Sequence, residues 1–363
     1  MALLTMFRAV QGLGGGGLMV GPQAVIGEIV SPRERGRYLG YIGAAYVVAA
    51  VGGPVLGGLI VEELGWRWIF ALYLPLGGVA FAVLAVTLRL PRPTGQSPID
   101  YAGALTLAAA VVGMVLFGQT RHPTWLVLTV VAATAWLISS RFAPDPILPL
   151  RLFRDRGFAI AVAISFLVGF ALFGTLTYLP AYLQVAFGLS ASGAGLVVTA
   201  LMAGVLFTTV LSGRLITRTG RYKAYPVVGA GVAAAGLALL ATWGAGGGSG
   251  VITAIMALIG LGVGLIMQVM VLVAQNSVAY GDLGTATSSV TFLRQIGASA
   301  GVAVAGALIT TRLADQVPAS VALSQVMPIV FGLMSPLLAL AFVLAVLLPA
   351  RPLRTTAYVE ERV

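Results

Sequence analysis

The chain has 363 residues, of which 59% are hydrophobic and 9% charged, and its formal net charge is +10. A water-soluble domain carries about 25% charged residues, so this composition excludes a soluble globular protein. The positive residues are divided among loops between long apolar runs, which excludes a nucleic-acid-binding stripe, and the lack of Cys excludes disulfides, thiolate metal sites and cysteine nucleophiles.

A membrane-spanning helix needs about 20 apolar residues. In chain order, such runs are predicted over residues 3–29, 38–61, 67–88, 101–120, 124–141, 157–186, 192–216, 225–243, 251–277, 286–310 and 326–349, about eleven in all. They are too long, and alternate too little, for barrel strands. One set of loops collects Arg33, Arg35, Arg37, Arg89, Arg92, Arg141, Arg151, Arg154, Arg156, Arg214, Arg218, Arg221 and Lys223, with Arg351, Arg354 and Arg362 in the tail. The other set holds Arg67, Arg121 and Arg312. That bias, about sixteen to three, places the first set and the C-terminus in the cytoplasm. An odd number of spans then leaves Met1 outside and almost within a helix, so an odd number of further N-terminal helices is expected. The first run lacks a basic leader and continues too long for a cleavable signal peptide.

The first span carries Arg8 within Arg8-Ala9-Val10-Gln11-Gly12-Leu13-Gly14, followed by more glycines. An Arg at that depth faces a protein interior or a wet cavity, and a glycine face admits a close helix neighbour. The second span carries Gly52-Gly53-Pro54-Val55-Leu56-Gly57-Gly58. Gly53 and Gly57 share one face, and Pro54 removes a backbone donor.

These residues resemble the major facilitator superfamily, and within it the fourteen-helix drug/proton antiporter branch. Arg8-x-x-Gln11-Gly12-x-Gly14 looks like that family's fourth-helix motif. Gly53-Pro54-x-x-Gly57-Gly58 looks like its fifth-helix antiporter motif, with Ala49 where Gly is usual. Trp66-Arg67-Trp68-Ile69-Phe70 and Leu74-Pro75 are similar to the start of the sixth helix, with Tyr73 replacing Asn. Ile147-Leu148-Pro149-Leu150-Arg151-Leu152-Phe153-Arg154 resembles the loop before the C-terminal half. Gly213-Arg214-Leu215-Ile216-Thr217-Arg218-Thr219-Gly220-Arg221 resembles the second cytoplasmic loop motif, with Thr217 in place of Asp. In that register the first three helices are missing.

The resemblance implies an all-α, polytopic membrane bundle of the major facilitator type. Residues 1–90 are then the remainder of an N-terminal half, 91–156 two linking helices and a loop, 157–350 the C-terminal half and 351–363 a cytoplasmic tail. It implies a multi-pass inner-membrane transporter, not an enzyme, which exports drugs or small hydrophobic metabolites against protons by alternating access. Its partners are a small-molecule substrate, protons and the lipid bilayer, with no nucleic acid and no particular oligomeric state. Three alternatives stand: a truncated fragment unable to transport, a substrate-specific exporter of a secondary metabolite with the same architecture, and a channel or scaffold without coupled transport. No Walker sequence or metal-ligand cluster is present, so no cofactor and no metal are expected.

The transport pathway is expected to involve Arg8, Gln11, Gly12, Gln268 and Tyr178, although structural packing is an equal reading for Arg8. Gly53, Pro54, Gly57 and Gly58 are expected to form a helix contact, and Gly213, Arg218, Gly220 and Arg221 the cytoplasmic loop motif. Gly297, Gly301 and Gly306 suit either a moving or a static helix interface. Arg294 is expected to snorkel to the interface, Gln184, Gln275 and Asn276 to lie solvated near helix ends, Glu28 to pair with loop Arg residues, and Asp100 to cap a helix. His122 reads as loop.

Overall fold

Each apolar run becomes a helix whose limits follow from the residues flanking it. The computed structural model describes residues 2–65, 67–88, 100–144, 146–243, 248–314 and 319–353. Among these the long regular elements are helices: α1 (Ala2–Ile29), α2 (Pro32–Glu63), α3 (Arg67–Thr87), α4 (Tyr101–Thr120), α5 (Pro123–Phe142), α6 (Arg156–Leu176), α7 (Leu179–Phe187), α8 (Ala191–Thr219), α9 (Ala224–Trp243), α10 (Ser249–Asn276), α11 (Leu283–Ala314) and α12 (Ala319–Leu347). From α3 onward, nine helical segments among the described residues are long and apolar enough to cross a membrane. The expected all-α membrane bundle is therefore present.

Capping sets the helix ends. As expected, the Asp100 carboxylate accepts the Gly103 N–H at 2.7 Å and starts α4. Asp155 does the same for Phe158 at 3.0 Å ahead of α6, and the Ser190 hydroxyl for Gly193 at 3.1 Å ahead of α8. Gly220, at φ +69°, ends α8 in the left-handed region that favours glycine. The expected span 157–186 breaks in two. Pro180 lies in the first turn of α7, where a missing N–H is tolerated but a continuous helix is not. His122 sits in the short turn between α4 and α5, which Pro123 starts.

Helices α6 to α12 share one core, with Phe158, Ile164, Leu183, Leu237, Met270 and Phe331 fully enclosed. Its tightest seam joins α6 to α11. A Cβ added at Gly297 would overlap the Phe166 carbonyl oxygen, and one at Gly301 that of Phe170. Backbone therefore touches backbone there, the close approach that small residues permit in a bilayer. The Ser335 hydroxyl donates to the Ala234 carbonyl at 3.0 Å and joins α12 to α9. Helices α4 and α5 pair as a hairpin, and α4 leans on α11 where Gly118 meets Ala303. Helix α3 buries none of its residues, and its Leu74 and Phe81 face outward.

One end of the bundle gathers the basic residues. There Arg151 grips Asp282 through two hydrogen bonds of 2.9 and 2.6 Å, and Arg351 pairs with Asp155 at 2.7 Å. The Tyr222 hydroxyl donates to the Pro349 carbonyl at 2.9 Å and accepts the Arg351 N–H at 3.0 Å. Burial pushes the Tyr222 phenol above its ordinary pKa, so it remains neutral in this double role.

Candidate functional site

The site is the seam where α1 and α2 meet the α6–α12 bundle. At the basic end the seam is shut. Gly36 of α2 lies against Gly213 of α8, so that a Cβ at Gly36 would come within 3.2 Å of the Gly213 carbonyl oxygen. One turn on, Gly40 faces the Thr209 carbonyl at 3.1 Å, and then Gly43 faces Thr209 Cγ2 and Gln268. Three small residues on one face of α2 thus let it rest directly on α8. Above this contact Val47 and Val51 still pack on the core, while Val48, Ala49 and Ala50 are exposed and a Cβ at Gly52 or Gly53 would meet nothing within 4 Å.

Two arginines secure the shut end. The Arg33 guanidinium donates to the Thr217 and Arg218 carbonyls, each at 3.3 Å. These carbonyls belong to the last turn of α8, where a cation is favoured by unpaired backbone acceptors. Thr217 stands where the resembling motif has Asp, so the latch runs through backbone. Arg35, fully buried, donates to the Val30 carbonyl at 2.9 Å and to the Gly27 carbonyl, closing the C-terminal end of α1. Glu28, expected to pair with loop arginines, makes no ion pair among the described residues. Arg35 is turned to the carbonyls instead.

A buried hydrogen-bond knot ties α1 to the bundle. The Gln275 amide of α10 donates to the Gln23 carbonyl at 3.0 Å and to the Thr287 hydroxyl at 2.9 Å. A Cβ at Gly27 would come within 3.0 Å of that amide. The expectation of a solvated Gln275 is therefore corrected: it has no exposed surface, because α1 covers the end of α10. Replacing Gln275 by Leu removes two buried hydrogen bonds, to the Gln23 carbonyl and the Thr287 hydroxyl, at about 0.5–1.5 kcal/mol each. A lowered thermal midpoint of the purified protein in detergent is the expected reading, and an unchanged midpoint would contradict it.

Deeper in the seam lie polar groups that the fold does not satisfy. Gln268 of α10 faces α2 at Gly43, and its Oε1 is buried without a hydrogen-bond partner. The Thr291 hydroxyl and Arg294 Nη1 of α11 are in the same condition. Arg294 is 3% exposed, which corrects the snorkelling expectation. It lies about 16 Å along α11 from Leu283, at about 1.5 Å per residue. Its Cγ is hemmed in by Gly169 of α6, so the side chain is enclosed far from the helix end. An ion enclosed without a counter-charge costs several kcal/mol.

The other expected site residues are scattered. Arg8 lies in α1, with its side chain outside the described residues. Gln11 and Gly12 are exposed on the same helix, and Gly12 faces open space. Tyr178 begins α7, and its hydroxyl lies against Gly306. It lines a cavity of about 560 Å³ with Val115, Gly118, Gln295, Ser299 and Thr310, between α4 and α11. Gly53 is exposed, and the side-chain surroundings of Pro54, Gly57 and Gly58 lie outside the described residues. Gly213 and Arg218 do meet, with Arg33, at the shut end; Gly220 ends α8 and Arg221 is exposed beyond it. Gln23 was not foreseen, and Arg35 was expected only as a cytoplasmic loop charge, not as a buried residue. The knot reaches Gln23 through its backbone carbonyl, so no side-chain pattern in the sequence marks it.

The model of the Major Facilitator Superfamily matches residues 1–302. The chain is 38% identical over 325 residues to an MFS-type transporter of Mycobacterium tuberculosis (strain ATCC 25618 / H37Rv), covering 85% of this chain and 46% of that protein. It is 35% identical over 322 residues to the multidrug transporter protein MdtP of Bacillus subtilis (strain 168), covering 86% and 59%. It is 32% identical over 330 residues to the MFS-type efflux pump LUC4 of a Fusarium species, covering 86% and 58%. The chain thus spans about half the length of these curated relatives. A crystal structure of the human organic anion transporter MFSD10 shares the fold, with a TM-score of 0.61 at 18% identity, covering 89% of this chain and 66% of that one.

Proposed function

Because the chain belongs to the Major Facilitator Superfamily, we propose that it is a secondary transporter that exports drugs or small hydrophobic metabolites in exchange for protons. The names of its relatives, a multidrug transporter and an efflux pump, support the outward direction. The observation that carries the reading is the seam itself. It is shut at the basic end by Gly36, Gly40 and Gly43 on Thr209 and Gly213, while unsatisfied polar groups lie deeper. A glycine contact of this kind can part and re-form without rupture of side-chain packing, as alternating access requires.

In this reading, α1–α3 and α6–α12 are the two rocking bodies and α4–α5 links them. The basic end faces the cytoplasm of a bacterial cell, with the C-terminus inside, because arginine is retained on that side of the inner membrane. Arg8, Gln11, Gly12, Gln268 and Tyr178 line the path, and Gly53, Pro54, Gly57 and Gly58 close the opposite face in the alternate state. Cells producing the chain are expected to expel ethidium or carboxyfluorescein, and a protonophore to stop them. Arg8→Ala and Gln268→Ala should each slow that efflux about tenfold, about 1.4 kcal/mol of transport barrier, at unchanged membrane abundance. Efflux indifferent to the protonophore would leave a channel or scaffold.

A further inference from the structure

A groove of about 460 Å³ runs along α8, lined by Ala203, Leu206, Phe207, Val210, Leu211 and Arg214. Their spacing of three and four puts them on one helix face. Five of the six are apolar, and Phe207 and Leu211 are exposed. From Ala203 to Arg214 the helix rises about 16 Å, at about 1.5 Å per residue. That is close to the hydrocarbon depth of one leaflet, half of a bilayer core about 30 Å thick. The groove is thus apolar for the depth of a leaflet and cationic at its rim. Helix α2 supplies the rest of the rim. It crosses α8 here: a Cβ on Gly213 would lie 3.5 Å from the Arg37 Cα, and one on Gly40 3.7 Å from the Val210 Cα. Arg37 and Arg214 therefore leave the crossing side by side, and both are exposed. The Arg37 Nε donates to the Tyr41 hydroxyl at 3.0 Å, and the same phenol interacts with Arg214. Tyr38 meets Tyr41 edge to face at 6.4 Å, and such rings favour the headgroup level of a bilayer. Glu34 is the acidic group acting on Arg37. Arg33 and Arg218, one turn beyond Arg37 and Arg214 on their helices, keep the rim positive.

We propose that this groove is a binding site for an anionic phospholipid, whose phosphate sits between Arg37 and Arg214 while one acyl chain lies along Phe207 and Leu211. The inference goes beyond the transport reading and needs only that the chain lies in a membrane. A guanidinium presents a rigid fork of donors that fits a phosphate through two parallel bonds, and basic residues at the membrane surface favour anionic lipids. The shape of the groove selects a lipid over a free phosphate, because a free anion covers none of the apolar wall below the rim. A lipid seated there touches α2 and α8 together, beside the Gly36–Gly213 contact that shuts the seam.

The test titrates the purified, delipidated chain in detergent with dioleoyl phosphatidylglycerol and, separately, dioleoyl phosphatidylcholine, and counts bound lipid by native mass spectrometry. The two lipids share their acyl chains, so headgroup charge alone separates them. Phosphatidylglycerol is expected to bind about tenfold or more tighter. Arg37→Gln combined with Arg214→Gln should abolish that advantage. Arg141→Gln combined with Arg221→Gln removes the same charge from exposed residues outside the groove, and should keep the advantage within about twofold. Phe207→Ala should weaken both lipids about threefold, and inorganic phosphate at about 10 mM should displace neither. Equal affinity for the two lipids, equal losses in the two double variants, unchanged binding in Phe207→Ala, or displacement by phosphate overturns the site. If the Arg37→Gln, Arg214→Gln protein is not monodisperse, the lipid ratio and the phosphate competition of the unsubstituted chain decide. Protonophore-sensitive efflux plays no part in these readings, so the export reading and the lipid site stand or fall separately.

Discussion

Gly301→Leu is expected to abolish recovery of folded protein. At this position α11 lies directly on the backbone of α6, and an added Cβ would overlap the Phe170 carbonyl oxygen. Unlike a flexible side chain, a carbonyl within a helix cannot swing aside. Overpacking in a core costs about 1–3 kcal/mol where neighbours can adjust, and more is expected where the neighbour is backbone. The seam joins two helices of the shared α6–α12 core, so its loss removes packing from both. Solubilised Gly301→Leu protein should elute as aggregate in size-exclusion chromatography. Gly195→Leu is the matching control: a Cβ there meets nothing within 4 Å, and the protein should elute as the unsubstituted chain does. A monodisperse Gly301→Leu protein with an unshifted melting point would show that the α6–α11 contact is looser than described.

Gly213→Leu should act differently, by prising open the basic end while the bundle stays folded. The clash is with the Gly36 carbonyl of α2, and the hydrogen bonds that hold α2 there are the exposed ones from Arg33 to the end of α8. Helix α2 can therefore move away as a unit. A penalty of about 1.4 kcal/mol on the shut state raises the open population about tenfold. Because the chain has no Cys, a single Ser212→Cys substitution gives a clean reporter. Ser212 is 1% exposed and lines the small space between α2, α8 and α10. Maleimide labelling of Ser212→Cys should be slow alone and about tenfold faster with Gly213→Leu. Labelling that stays slow in a folded double variant would mean that α2 and α8 are not a separable contact.

The helices were legible because hydropathy and length are properties of single segments. Asp100 could be read as a cap because its partner, Gly103, lies three residues away. The break at Pro180 was hidden by the unbroken apolar run around it; only the missing donor announces it. Arg294 was misjudged for a reason of the same kind. Its depth along α11 is readable, but the covering by Gly169 comes from another helix. Gln275 likewise owes its burial to α1, more than 200 residues earlier in the chain. The loop motif at Gly213 and Arg218 was recognisable, yet its partner turned out to be Arg33 reaching backbone carbonyls, which no side-chain pattern can show. Local chemistry is written in the segment; enclosure is written in whichever distant segment packs on it.

The basic end of the α6–α12 bundle is cinched by its own chain. Asp155 at its beginning, Tyr222 at its middle and Pro349 with Arg351 at its end are joined by hydrogen bonds and an ion pair within one small region. A hoop of this sort resists shear between the helices it encircles. Torque applied at one rim is therefore delivered to the far rim with little lost to internal flexing, and the bundle behaves as a lever rather than as a sheaf of independent rods.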